Sequence, residues 1–251
     1  MPGSRPWELR ARSSCIPARD VRAGEEQIAV LDALLVGGLA HGEVFITGDF
    51  DHQAIYRRNG SVENGEALPD ARATILQRAP GMMALQLKSN VRMTPEVARF
   101  VAELIGEPTL YSEHRRSDDD QVSVERHTFT AMAEQQLLLA DAVERIAGGA
   151  RSAEPYTVRD LVILSPYARE RSAAGQATDA RLTSRLGSTI AGATIVDPTR
   201  IRWGTVHEFK GLEAPAVILT DVDLSKEHHR DLLYVGASRA TDRLVVLEQV
   251  S

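Results

Sequence analysis

Two uninterrupted apolar runs late in the chain, residues 216–219 (Ala-Val-Ile-Leu) and 244–247 (Leu-Val-Val-Leu), constrain the fold more than any other feature. A strand wetted on one face alternates apolar with polar residues. A continuous aliphatic run is what a parallel sheet covered on both faces requires. Residues 225–240 between the runs read as one amphipathic helix with Ser225 as its N-cap. Strand, helix, strand is a βαβ unit, and its polar residues gather at the element ends, where open parallel sheets bind ligands.

The rest of the chain supports an α/β reading. At 251 residues and 43% hydrophobic content it can form one large domain or two small ones. Residues 161–165 (Leu-Val-Ile-Leu-Ser) are a further buried strand, and residues 44–47 (Val-Phe-Ile-Thr) another. Ile28, Leu31, Leu34 and Leu35 recur at helical spacing until Gly37-Gly38 stops the helix. Thr94 as N-cap and Pro95 at the first helical position open a helix with Val97, Phe100, Val101, Leu104 and Ile105 on one face, ended by Gly106. Residues 121–129 alternate as a strand. Residues 131–147 form a helix with Leu138, Leu139, Val143 and Ile146 inward. Residues 168–180 read as loop, 181–186 as a short helix and 193–196 as a weak strand. Arg/Pro-rich residues 1–22 show no periodicity and read as a solvated segment.

Charge and cysteine usage narrow the function. The formal net charge of −6 means that nucleic acid, if bound, must meet a local basic patch. The single cysteine, Cys15, excludes an internal disulfide framework and a cysteine-based zinc site. No run of roughly 18 apolar residues predicts a transmembrane helix, and the first residues lack the apolar core of a signal peptide. A cytoplasmic protein that does not engage a membrane is expected, with no metal site of its own.

The motifs are specific. Thr205-Val-His207-Glu-Phe-Lys210-Gly211-Leu212-Glu213 resembles the fifth motif of superfamily 1 DNA helicases of the UvrD/Rep/PcrA type, and residues 233–240 (Leu-Tyr-Val-Gly-Ala-Ser-Arg-Ala) resemble the sixth. Residues 48–56, Gly-Asp-Phe-Asp-His-Gln-Ala-Ile-Tyr, are similar to the third motif, with one extra residue between Gly48-Asp49 and Gln53. Residues 85–96, which include Asn90, Arg92, Thr94 and Pro95, resemble the fourth. The resemblance implies a RecA-like P-loop NTPase-type domain, with a mainly parallel sheet and helices on both faces. It divides the chain into an N-terminal segment 1–22, a remnant of a first motor domain over 23–75, and a C-terminal helicase domain over 76–251. The bulky subdomain that larger relatives insert between the fourth and fifth motifs is absent or vestigial.

In these helicases ATP is hydrolysed between two RecA-like domains, and positioned guanidinium groups stabilise the charge on the transferring phosphoryl group. By resemblance Arg239 is the arginine finger, Arg92 a second γ-phosphate contact, and Gln53 the residue that senses the γ-phosphate and orients water. Glu213, after Gly211, accepts from the ribose hydroxyls. Outside the motifs, Arg239 would read as a surface helix arginine and Glu213 as a glutamate favoured in a helix's first turn. On the DNA side, Thr205 and His207 would bond backbone phosphates, Tyr56 would stack on a base, and Arg58 stands where relatives commonly carry an aromatic.

The phosphate-cradling Gly-x-x-x-x-Gly-Lys-Ser/Thr loop does not occur in the chain. The acidic pair that holds magnesium is also missing before Glu25. Asp221-Val-Asp223 mimics it but follows the fifth motif. The expectation is therefore the C-terminal half of a helicase motor, from a truncated gene or one piece of a split enzyme. It would need ATP and Mg²⁺ only with a complementary N-terminal domain, and single-stranded DNA is the expected partner. The other readings are a non-enzymatic module that binds single-stranded DNA or a partner, and a nucleotide-binding regulator.

Overall fold

The computed structural model describes residues 16–17, 25–47, 71–117, 122–149, 154–190 and 197–250. The chain divides into two units, Met1–Leu85 and Gln86–Ser251.

In the first unit, helices α1 (Glu25–Leu34), α2 (Gly38–His41) and α3 (Ala71–Arg78) enclose a small core of Ile28, Leu39, Ile75 and Ala79. The chain turns out of α1 at Gly37 and Gly38, with φ of 86° and 64°, a region that costs glycine nothing. Asp32 secures the turn, its carboxylate accepting from the Leu39 amide at 2.6 Å and from Arg78 at 3.3 Å. Strand β1 (Ile16–Pro17) pairs in parallel with β2 (Ile46–Thr47). The buried strand expected over 44–47 is only this two-residue pairing, and Phe45 is 61% exposed. An aliphatic run predicts burial on two faces, and here one short partner strand supplies too little cover. Gln53, Tyr56 and Arg58 lie outside the described residues.

The second unit is built on a six-stranded parallel sheet in the order β5-β10-β9-β6-β8-β7. Its strands are β5 (Val124–Phe129), β6 (Leu161–Ser165), β7 (Leu186–Thr189), β8 (Ile201–Thr205), β9 (Ala214–Val222) and β10 (Ala240–Gln249). A separate pair, β3 (Ser89–Asn90) and β4 (Glu113–His114), lies between the first unit and the sheet in sequence. Helices α4 (Pro95–Leu104), α5 (Met132–Ala147), α6 (Ala180–Thr183) and α7 (Glu227–Ala237) complete the unit.

Strand alternation separates the two faces. Leu161, Ile163, Ala216, Ile218, Val245 and Leu247 form one core with Leu139, Val143 and Ile146 of α5 and Leu182 of α6. On the opposite face α7 lies so close to β9 that a Cβ on Gly236 would stand 2.5 Å from Leu219 Cδ2. Helix α4 packs beside α7 with Val97, Ala98, Val101 and Ala102 buried. This is an α/β unit on a parallel sheet covered on both faces, with both apolar runs on its interior strands β9 and β10.

Three local expectations need correction, and one strand went unread. Ser225 does not cap α7: Lys226 holds that position, and the Ser225 hydroxyl donates to Asp223 instead. Thr94 stands at the N-cap of α4 without capping it, because its hydroxyl faces the Asp242 carbonyl at 3.4 Å and ties the helix to β10. The helix expected over 181–186 ends at Thr183, and Leu186 begins β7. Strand β8 escaped the reading because Ile-Arg-Trp-Gly-Thr has no aliphatic run. The weak strand expected over 193–196 lies outside the described residues.

Edge strand β5 is fastened by charge as well as by its ladder. Arg243, 3% exposed at its side chain, pairs with Glu125 at 2.6 Å and Glu154 at 3.0 Å, and Arg145 also meets Glu125 at 2.6 Å. Burial pushes the Glu125 carboxyl up, but Arg243, His127 and Arg145 together leave it below its ordinary value.

Candidate functional site

The residues of the fifth and sixth motifs fall at opposite ends of the sheet. Strand β8 delivers Thr205 at its carboxyl end. Residues 206–213 then return to the amino end of β9, crossing β6, with Val206 and Phe209 buried beneath them. One short segment therefore serves both ends.

At the amino end of β9 and β10, four of the expected residues converge. Gly211 adopts φ 83°, a turn that places the Leu212 carbonyl and Glu213 at the start of β9. Arg239 follows α7 and is 5% exposed. Its guanidinium donates to the Val235 carbonyl at 3.0 Å, the Ser238 hydroxyl at 2.8 Å and the Leu212 carbonyl at 3.4 Å. Arg92 donates to the Ser238 carbonyl at 2.6 Å and lies 4.0 Å from Glu213, with side chains 39% and 59% exposed. An ion pair that open contributes at most about 1 kcal/mol. Asn90 shapes the Arg92 turn: its Oδ1 accepts from the Arg92 and Met93 amides, and its Nδ2 donates to the Met93 carbonyl at 2.7 Å. Two guanidinium groups and a carboxylate thus meet at one place, with Arg92 outward and Arg239 turned onto backbone carbonyls.

At the carboxyl end, Thr205 and Glu208 form a reciprocal capping box. Glu208 accepts from the Thr205 amide at 2.8 Å, and the Thr205 hydroxyl accepts from the Glu208 amide at 3.1 Å. Accepting uses a lone pair, so the hydroxyl can still donate to a ligand. Gly204 makes room, since a Cβ there would stand 2.5 Å from the Glu208 carboxylate. His207 is exposed on the following turn. Its pKa is lowered by desolvation first and by the Lys210 ammonium second, with Glu208 opposing.

Beside Thr205 opens a cleft of about 300 Å³ between the loop that follows β6 and the carboxyl end of β8, lined on one wall by Tyr167, Arg169, Glu170 and Ser172 and on the other by Trp203, Thr205 and Glu208. The Arg169 guanidinium stands 5.9 Å from the Trp203 ring centroid. Arg171 lies 5.0 Å from the Tyr167 ring, and Lys226 donates to the Tyr167 hydroxyl at 2.8 Å. That hydrogen bond first, and the Asp223 carboxylate next, raise the Lys226 pKa and hold it charged. Aromatic rings interleaved with cations suit stacking and phosphate contact. Sequence reading missed these residues by treating 168–180 as plain loop. The signal was Pro-Tyr-Ala-Arg-Glu-Arg directly after a buried parallel strand, where such sheets bind ligands.

Residues 201–247 match the UvrD-like helicase C-terminal domain. The match falls on the stretch that holds Thr205, His207, Gly211, Glu213 and Arg239. A solved C-terminal domain of a possible DNA helicase from Lactobacillus plantarum WCFS1 is 22% identical, covering 64% of this chain and 87% of its own length with a TM-score of 0.39. A likeness that distant carries no weight of its own. No curated protein matches the chain.

The UvrD-like stretch supplies no metal cradle. Among the described residues no group of His, Cys, Asp and Glu is placed to hold an ion. Asp221 and Asp223, the nearest mimic of an acidic box, spend their carboxylates on internal donors. Among the described residues no helix is long and apolar enough to cross a membrane.

Proposed function

We propose that this chain is the C-terminal motor half of an ATP-dependent DNA helicase of 3′ to 5′ polarity, acting with a complementary domain that brings the phosphate loop and Mg²⁺. One observation carries the reading: Arg92, Glu213 and Arg239 cluster at one end of a single sheet, and a cleft lined by Arg169, Glu170, Glu208 and the Tyr167 and Trp203 rings opens at the other. A motor needs nucleotide on one side and a DNA track on the other, joined by an element that can couple them. The crossing segment 206–213 joins the two ends here.

Arg92 and Arg239 would stabilise charge on the transferring phosphoryl group, since guanidinium never loses its charge and binds phosphate bidentately. Arg239 must first leave its carbonyl partners. Glu213 would accept from ribose, with Gly211 setting its turn. By resemblance Gln53 would orient water, and Tyr56, Arg58, Thr205 and His207 would each contact single-stranded DNA. The chain's own residues do not suit Mg²⁺, so no step is assigned to the ion here.

The test is complementation. Alone, with single-stranded DNA and Mg²⁺, the chain should release phosphate from ATP no faster than buffer. Adding a first motor domain that bears the phosphate loop should bring DNA-stimulated hydrolysis, and Arg239→Ala should remove it by on the order of 10³-fold. Robust turnover by the chain alone overturns this reading. The inward Arg239 favours a second one, a non-enzymatic module that binds single-stranded DNA or a partner. DNA binding with no hydrolysis in any combination would select it.

A further inference from the structure

Asp221, near the carboxyl end of β9, is the one non-glycine with positive φ among the described residues, at 60°. It is also 5% exposed. L-residues avoid this region, and a strained backbone persists only where the surroundings hold it in place. Here the surroundings are hydrogen-bond donors. Oδ2 accepts from the Ser165 hydroxyl at 2.7 Å, and that same Ser165 oxygen accepts from the Tyr167 amide at 3.0 Å. The Ala173 amide straddles both carboxylate oxygens at 3.2 and 3.1 Å. Gln135 donates from α5 at 2.9 Å, and the Thr220 hydroxyl donates from the preceding residue.

The two ends of the loop 166–173 are thereby tied to one carboxylate, at Tyr167 through Ser165 and at Ala173 directly. That loop is the Arg169 wall of the cleft. It is drawn tight elsewhere as well: a Cβ on Gly175 would fall 1.8 Å from the Arg169 carbonyl oxygen.

We infer that Asp221 is a positioning residue for nucleic-acid binding, holding the Tyr167–Arg171 wall against the Trp203–Thr205 wall. This rests on the DNA reading of the cleft given above. The chemistry demands a carboxylate. Every group facing Asp221 donates, and the Ala173 amide cannot turn around as a hydroxyl or a glutamine can. Asp221→Asn keeps shape and tolerates the same backbone, yet sets an NH₂ against donors.

The experiment measures affinity of the full chain for an oligothymidylate across a salt series, by fluorescence anisotropy. Arg169→Ala with Arg171→Ala should weaken binding and flatten the salt slope by about 1.4, as expected for two lost single-strand phosphate contacts. Asp221→Asn should weaken binding roughly tenfold and flatten the slope alike, since the same contacts are lost. Combined with the two arginine substitutions it should cost nothing further, which a merely structural role would not produce. Ser165→Ala, which removes only the relay to Tyr167, should lose affinity in the same direction and serves where Asp221→Asn fails to fold. Wild-type affinity and slope in Asp221→Asn, or full additivity with the arginine pair, overturns the inference. If instead the arginine pair binds like wild type, the DNA reading of the cleft fails, and the inference fails with it.

Discussion

His207 joins sequence, electrostatics and function at the scale of one residue. Its imidazole titrates below the ordinary 6.5, through desolvation and then Lys210. A phosphate placed against it favours the charged form, so binding takes up a proton. Affinity for single-stranded DNA should therefore rise as pH falls below about 6.5, the unperturbed value. His207→Ala should remove that pH dependence and weaken binding alike for all sequences, because phosphate contacts carry no base information. Oligonucleotide titrations between pH 5.5 and 7.5 check this. A slope that survives the substitution assigns the proton to another group. Thr205 carries a comparable lesson, since its amide and hydroxyl oxygen are already committed to Glu208 and only its hydroxyl proton remains to give.

At the scale of elements, α7 on β9 is the contact that aligns the two ends of the sheet. Gly236 allows it: an added Cβ would meet both methyls of Leu219, at 2.5 and 3.3 Å, and Val206 at 3.4 Å. Gly236→Ala sets two effects against each other. Helix propensity gains about 0.8–1 kcal/mol. Overpacking a well-filled core costs about 1–3 kcal/mol, and Leu219, 1% exposed, has little room to yield. Packing should win by about 1 kcal/mol, which lowers the thermal midpoint by roughly 2–4 °C in a domain of this size. A raised midpoint in calorimetry would mean that Leu219 swings aside freely. The crossing segment 206–213 depends on the same packing, since Val206 is one of the atoms the new methyl would press.

For the whole molecule, charge sets the terms of DNA binding. A net charge of −6 repels a polyanion at long range, so attraction must come from the local strip of Arg169, Arg171 and Lys226. With about three phosphate contacts on single-stranded DNA, log K should fall with log salt at a slope of roughly −2. Affinity should accordingly be weak and largely lost at high salt. A filter or anisotropy titration tests it, and salt-independent, sequence-selective binding would contradict the picture.

Local pattern carried much of this protein. The aliphatic runs at 161–165, 216–219 and 244–247 determined a buried parallel sheet, because covering both faces leaves no polar position. The periodicity of 131–147 determined α5, and the motifs of 205–213 and 233–240 lie within the stretch that matches the UvrD-like helicase C-terminal domain. Tertiary structure decided where those residues act. Sequence places Thr205 and Glu213 eight positions apart. Only the parallel topology, which makes the chain cross β6 between β8 and β9, sends them to opposite ends of the sheet. Sequence also cannot tell an arginine that faces a cleft from one that caps carbonyls, and Arg239 does the latter here at Leu212 and Val235, with the Ser238 hydroxyl as a third acceptor. Asp221 is the plainest case. In sequence it only mimics half of an acidic box and stands in the wrong place for one; what it does depends on donors from Ser165, Gln135 and Ala173, which hydrogen bonding across the fold brings together and no local periodicity encodes.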